Sequence, residues 1–268
     1  MGKVMLTLVV LLLGLSAVEA CWPSACTVPE ALQNRTCCPY FNGSLCGFSS
    51  GRGECQFQNL TSESVTVDDR SAWSKYYYDY TCVCKPRYYG PDCGSCSPAY
   101  EEPDCTLPRR IERPDITELN AKQLKAFLAD LNYCKWKLSK EYKILYAGDR
   151  LFPETFEFRE CSYYDLLVYA QYYAQRPLRR GNGFTDYNFH YESSGFLTRN
   201  RAMLFYAEYL MQLCTKNQYF VFPYHDYTRS KNCSICTNQY MGESNQHGEL
   251  HPYSVFSTWR TFCGVDSY

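Results

Sequence analysis

Apolar and polar positions divide the chain into three stretches. Val4 to Leu15 is an almost continuous apolar run, preceded by Lys3 and followed by the small-residue ending Val18-Glu19-Ala20. That order of charged, apolar and small segments predicts a secretory signal peptide over residues 1–20, removed on export. The run is about a dozen residues, short of the roughly 20 that cross a bilayer, and no later stretch reaches that length without charges. From Cys21 to Cys105 no helical period is sustained, and Gly, Pro, Ser and Asn recur, which predicts loops and hairpins. Beyond Pro108-Arg109-Arg110 the pattern becomes helical. Leu124, Phe127, Leu128 and Leu131 fall at three- and four-residue steps and predict an amphipathic helix over Ala121 to Leu138. Tyr163 to Tyr173 and Arg201 to Leu213 have the same pattern. The apolar run Tyr219-Phe220-Val221-Phe222-Pro223 is too short for a helix and is expected to be buried.

Cysteine usage sharpens this division. All 17 cysteines follow the expected cleavage point, and eleven lie between Cys21 and Cys105. In an exported chain this reads as a disulfide framework. The candidates for pairing are Cys26, Cys37, Cys38, Cys46, Cys55, Cys82, Cys84, Cys93, Cys96, Cys105, Cys134, Cys161, Cys233, Cys236 and Cys263. The odd count leaves at least one sulfur free or bonded to another chain, with Cys21 and Cys214 the suspects. So short an N-terminal segment buries too little apolar surface to fold on that alone, so cross-links must restrict its unfolded state. Cys82-Val-Cys84 followed by Tyr88-Tyr89-Gly90-Pro91-Asp92-Cys93-Gly94 resembles the end of an EGF-like module. The organisation expected is therefore a cysteine-rich, EGF-like module over 21–108 and a helical domain over 109–268. Asn34, Asn42, Asn59 and Asn232 each open a glycosylation sequon.

The net charge of −1 and the lack of a basic block exclude a nucleic-acid partner. The 26 tyrosines and 17% aromatic content supply amphipathic surface, suited to cores with polar edges and to recognition patches.

Landmarks spread along the chain then point to a family. Cys37-Cys38-Pro39, Ser50-Gly51-Arg52-Gly53-Glu54-Cys55, Val67-Asp68-Asp69-Arg70, Tyr164-Asp165-Leu166, Phe222-Pro223-Tyr224 and Cys233-Ser-Ile-Cys236-Thr-Asn-Gln-Tyr240-Met241-Gly242 occur in one order. Together with the EGF-like ending they resemble the animal tyrosinase and tyrosinase-related proteins, over the amino-terminal half of a family member. The resemblance implies a truncated form of the family's helical bundle, in which two coppers, each held by three histidines, bind dioxygen and oxidise phenols. Imidazole suits that task because its neutral nitrogen is a good copper ligand.

The first copper site can be compared residue by residue. The family's Phe/Val-x-x-His-Tyr-Tyr corresponds to Val168-Tyr-Ala-Gln171-Tyr172-Tyr173, which places Gln171 where the first ligand stands. The family's His-Glu-x-x-x-Phe-Leu-x-Trp-His-Arg corresponds to Tyr191-Glu192-Ser-Ser-Gly-Phe196-Leu197-Thr-Arg199-Asn200-Arg201, with Tyr191 and Asn200 in place of the second and third. His190 is the one possible residual ligand. Amides are poor replacements for imidazole at a copper that cycles between oxidation states. Scaffold positions around the ligands persist: Asp165, Tyr172, Tyr173, Glu192, Phe196, Leu197, Arg201 and Glu208. The family's Pro-Tyr-Trp-Asp-Trp has become Pro223-Tyr224-His225-Asp226-Tyr227. No cofactor and no catalytic residue are expected.

Two other patterns carry His and Cys at metal- or redox-like spacing. His247-Gly-Glu249-Leu-His251 lacks the metalloprotease order, and Gly248 and Pro252 oppose a helix, so a solvated loop is expected. Cys233-x-x-Cys236 is expected in two structural bridges rather than as a redox pair. The function that follows is a secreted, catalytically inactive, extracellular module binding a protein or glycan, either as a homodimer or disulfide-linked to a partner. The alternatives are a copper-dependent phenol oxidase represented by an incomplete chain, and a tyrosine-rich matrix protein.

Overall fold

The structure is a computed structural model that describes residues 21–58, 66–68, 74, 77–149, 152–175, 178–180, 196–229 and 232–260. Three helices follow the sequence pattern. α1 (Pro29–Gln33) is a single turn in the cysteine-rich region, and α2 (Ala121–Trp136), α3 (Tyr163–Gln175) and α4 (Phe196–Thr215) pack on one another. α2 begins at a capping box: the Asn120 side chain accepts from Gln123 N at 3.0 Å, and the Gln123 side chain accepts from Asn120 N at 3.0 Å. α3 begins at a serine cap, with Ser162 Oγ accepting from Asp165 N at 3.0 Å and donating to the Asp165 carboxylate at 2.9 Å. α4 starts at Phe196, five residues before the expected Arg201.

The strands are mostly short. β1 (Trp22–Pro23), β2 (Thr36–Cys37), β3 (Tyr40–Phe41), β4 (Ser44–Leu45), β5 (Gly53–Phe57), β6 (Thr66–Asp68), β7 (Tyr80–Cys84), β8 (Tyr88–Tyr89) and β9 (Ser95–Cys96) precede α2. The two longest, β10 (Leu138–Asp149) and β11 (Phe152–Ser162), form an antiparallel hairpin between α2 and α3 where the apolar pattern predicts no strands. β12 (Leu178–Arg180) pairs with β6. The fold is thus mixed α and β: the expected disulfide-rich region and packed helices are present, and the β10–β11 hairpin is added between them.

Sheet β1-β10-β11 explains how the two regions join. Successive strand residues face opposite sides. Tyr142, Ile144 and Cys161 enter the core built by α2, α3 and α4, while Trp22, Leu145, Phe156 and Phe158 enter a second core with Tyr77 and Tyr78. Trp22 sits among four rings at centroid distances of 5.2 to 5.5 Å. The chain's first described residues are therefore locked against a hairpin more than a hundred positions away.

Five disulfides staple the first region: Cys26–Cys37, Cys38–Cys55, Cys46–Cys82, Cys84–Cys93 and Cys96–Cys105. Three differences from the sequence expectations concern the other cysteines. Cys214, suspected to be free, is bonded to Cys134, because α2 and α4 bring both into one buried seam. Cys161, a candidate for pairing, is a buried thiol, since the hairpin turns it into the core with no cysteine opposite. Cys233 and Cys236, expected in two bridges, close on each other in a tight turn. Cys21 is a buried thiol, and Cys263 lies outside the described residues. In the apolar run, Phe220 is buried but Tyr219 is 63% exposed.

Gly90 marks a close approach between the regions. Its φ is +96°, and a Cβ built there would lie 3.1 Å from the Tyr209 hydroxyl of α4. Tyr209 also meets Tyr89 edge-on at 4.7 Å. Gly90→Ala is expected to lower stability by about 1–2 kcal/mol from the left-handed backbone alone. Urea unfolding checks this.

Candidate functional site

Two of the three positions compared above with the family's copper ligands, Gln171 and Asn200, lie on α3 and α4. Two ion pairs anchor these helices, one at each. Glu208, fully buried on α4, accepts two bonds from Arg113, at 2.9 and 2.8 Å, and one from Phe222 N at 3.1 Å. It thereby ties the segment before α2 and the run after α4 to one helix. Lys135 of α2 pairs with Asp165 of α3 and also donates to the Arg260 carbonyl at 2.9 Å. Trp259 closes that corner, with its ring 4.6 Å from Tyr164 and its indole N–H donating to Asn132 Oδ1 at 2.9 Å. Buried pairs of this kind hold relative positions because either charge left alone would be costly.

Gln171 lies half-buried on α3, one residue beyond the buried Tyr169 and Ala170. Asn200 lies half-buried in the first turns of α4, before the buried stripe that begins at Met203. Its Nδ2 donates to the Phe196 carbonyl at 2.8 Å, so the amide is folded back on its own helix. Leu197, beside it, is 76% exposed. Tyr191 and His190 lie outside the described residues, as does Glu192. The two described positions thus offer amide groups, one of them occupied by the backbone. This donor set does not fit a copper centre, which draws on imidazole nitrogens.

Neither His247 nor His251 supplies a replacement. His247 is exposed and His251 accepts from Tyr253 N at 3.3 Å, both in turns rather than a helix. Among the described residues the group of ligand-type side chains close enough to share an ion is Cys38, Cys46 and Cys82, within 4.8 Å of one another. Their sulfurs are already consumed in Cys38–Cys55 and Cys46–Cys82. Asp226, the acid kept from the family's aromatic motif, caps a turn: it accepts from Thr228 N at 3.0 Å and from Arg229 Nε at 3.0 Å. Hydrogen bonds from the Thr228 hydroxyl and then the Thr228 N–H hold its carboxyl below the usual range.

Sequence reasoning missed a buried polar line beneath the helix pair. Cys21 Sγ lies 3.8 Å from the Leu166 carbonyl and 3.4 Å from the Tyr206 hydroxyl, which donates to it. Tyr142 and Tyr209 continue the line, both buried. Burial pushes the Cys21 thiol up to about 12, against the lowering effect of the Tyr206 bond. Burial likewise raises Tyr206 and Tyr142 well above the ordinary phenol value. Burial thus favours the neutral forms of this thiol and these phenols. The odd cysteine count marks Cys21 as a candidate unpaired sulfur, as found, but its partners are more than a hundred residues away and no local pattern names them. Of the sequon asparagines, Asn34, Asn42 and Asn232 are exposed, and Asn59 is outside the described residues.

No protein-family model matches the chain. Tyrosinase from Pelodiscus sinensis is 35% identical over 257 residues, covering 89% of this chain and 93% of that sequence. The chain belongs to the animal tyrosinase family. Tyrosinase from Coturnix japonica agrees, at 34% identity over 255 residues with 93% of its sequence covered. Tyrosinase from Bos taurus is 34% identical over 257 residues, 90% of this chain but 48% of that sequence. The chain therefore spans about half the length of the mammalian tyrosinases it matches. Among the described residues no helix is long and apolar enough to cross a membrane.

Proposed function

We propose that this tyrosinase-family chain is a secreted, non-catalytic protein that presents a binding surface to an extracellular protein or glycan. The observation that carries the reading is Asn200, an amide at a ligand position whose nitrogen is spent on the Phe196 carbonyl, in a helix pair whose ion-paired supports are intact. Retained supports with replaced ligands favour selection on shape rather than on redox chemistry. The signal-like first twenty residues and the seven bridges support export to an oxidising compartment. The cystine-closed segment around β8 and β9 supports an EGF-like module, and α2, α3 and α4 support a truncated form of the family's bundle. Exposed aromatic side chains, among them Tyr133 and Trp136 on α2 and the Phe57–Tyr80 pair, provide contact area of the kind interfaces use.

The test is dopa oxidation by the purified, copper-loaded protein. The expected rate equals that of buffer with the same copper. Oxidation clearly above that background would return the chain to the phenol-oxidase reading, and dityrosine fluorescence in native material would favour a matrix role.

A further inference from the structure

Among the described residues, every bridge but one includes at least one buried cysteine, and both cysteines of Cys134–Cys214 are buried. Cys233–Cys236 is the exception. Both of its cysteines are exposed, in a surface turn where Cys236 N donates to the Cys233 carbonyl at 3.2 Å. We infer that Cys233–Cys236 is a thiol–disulfide exchange site, which accepts electrons from a thiol of another molecule while the other six described bridges stay closed.

Access and loop length both single out this bridge. Exchange requires a thiolate to reach a sulfur, so burial shields a bridge and exposure opens it to attack. Resistance to reduction also depends on how far the fold and the bridge stabilise each other, which grows with the length of the closed loop. Cys134–Cys214 has a sequence separation of 80, and Cys233–Cys236 one of 3. Folding therefore strongly opposes opening of the first and adds little protection to the second.

The turn also has ties that do not involve its sulfurs. Met241 N donates to the Ile235 carbonyl at 3.0 Å, and Tyr240 N and Gly242 N donate to the Thr237 carbonyl at 2.9 and 2.8 Å. Glu243 N donates to Asn238 Oδ1 at 3.2 Å. These bonds hold the segment when the bridge opens, which keeps the two thiols in one turn and ready to reclose.

In the exchange, an external thiolate attacks one sulfur of the bridge. The Cys233–Cys236 bond breaks, a mixed disulfide forms, and the other cysteine leaves as a thiolate that takes up a proton. A second external thiolate attacks the external sulfur of the mixed disulfide and releases the remaining cysteine as a thiol. Two external thiols thus become one disulfide, and two electrons and two protons pass to the bridge.

The test is incubation of the native, secreted full chain with reduced glutathione, quenching with iodoacetamide at intervals, and tryptic mass mapping without further reduction. Alkylation at Cys233 and Cys236 is expected at least about tenfold faster than at any other bridged cysteine, with the melting temperature nearly unchanged. Oxidised glutathione should then reclose the bridge. The single variants Cys233→Ser and Cys236→Ser each leave one exposed thiol, which is expected to take up one glutathione from oxidised glutathione. A Cys233–Cys236 bridge that stays closed, or another bridge that opens as fast, would overturn the inference. So would the absence of a glutathione adduct at the remaining cysteine in both variants.

Discussion

Replacing Glu208 by alanine is expected to destabilise the protein by about 3–5 kcal/mol, the range for removing one partner of a buried charge pair. The side chain is fully buried, and its loss strands the Arg113 guanidinium and the Phe222 N–H together. Glu208→Gln keeps the shape and an acceptor for Phe222, so it should cost less than alanine. Urea unfolding under non-reducing conditions reads both. A loss below about 1 kcal/mol for alanine would mean that Glu208 behaves as an exposed pair and that the helix supports are not as described.

The second large effect is expected from opening Cys134–Cys214. This bridge closes a loop with a sequence separation of 80 between α2 and α4, where both sulfurs are buried. Restricting an unfolded loop of that length stabilises by about 4 kcal/mol. The double variant Cys134→Ser/Cys214→Ser is therefore expected to melt on the order of 10 °C lower. The same double substitution at Cys233 and Cys236, three residues apart, should cost far less, because so short a loop has little entropy to restrict. Thermal unfolding of the two variants side by side gives the comparison.

Helices were the legible part of this fold. α2 carries its apolar stripe at helical spacing, and its capping residues Asn120 and Gln123 stand in the sequence at the required separation. The β10–β11 hairpin was harder to see because its central strand is buried on both sides. Ile144 and Leu145 are adjacent and serve different cores, which erases the alternation that marks a half-buried strand. In β11 the alternation Phe156-Glu157-Phe158-Arg159 and the nearby Gly148, at a φ of +128°, were signals that could have been used. Cysteine pairing was legible only as a framework. Cys214 and Cys161 exchange their expected roles because pairing depends on which helix faces meet, and spacing along the chain does not encode that. That Gln171 and Asn200 are amides is readable directly, since a residue identity needs no fold to be seen. That the Asn200 amide turns back on Phe196 needed the helix.

The proposed non-catalytic role rests on helix supports that are kept and on amides at two compared ligand positions. The most direct measurement is the copper-to-protein ratio by mass spectrometry, after loading the purified secreted protein with copper and removing loosely held metal. With amides at ligand positions the account predicts below about a tenth of an equivalent per chain. Retention of one equivalent or more would contradict it.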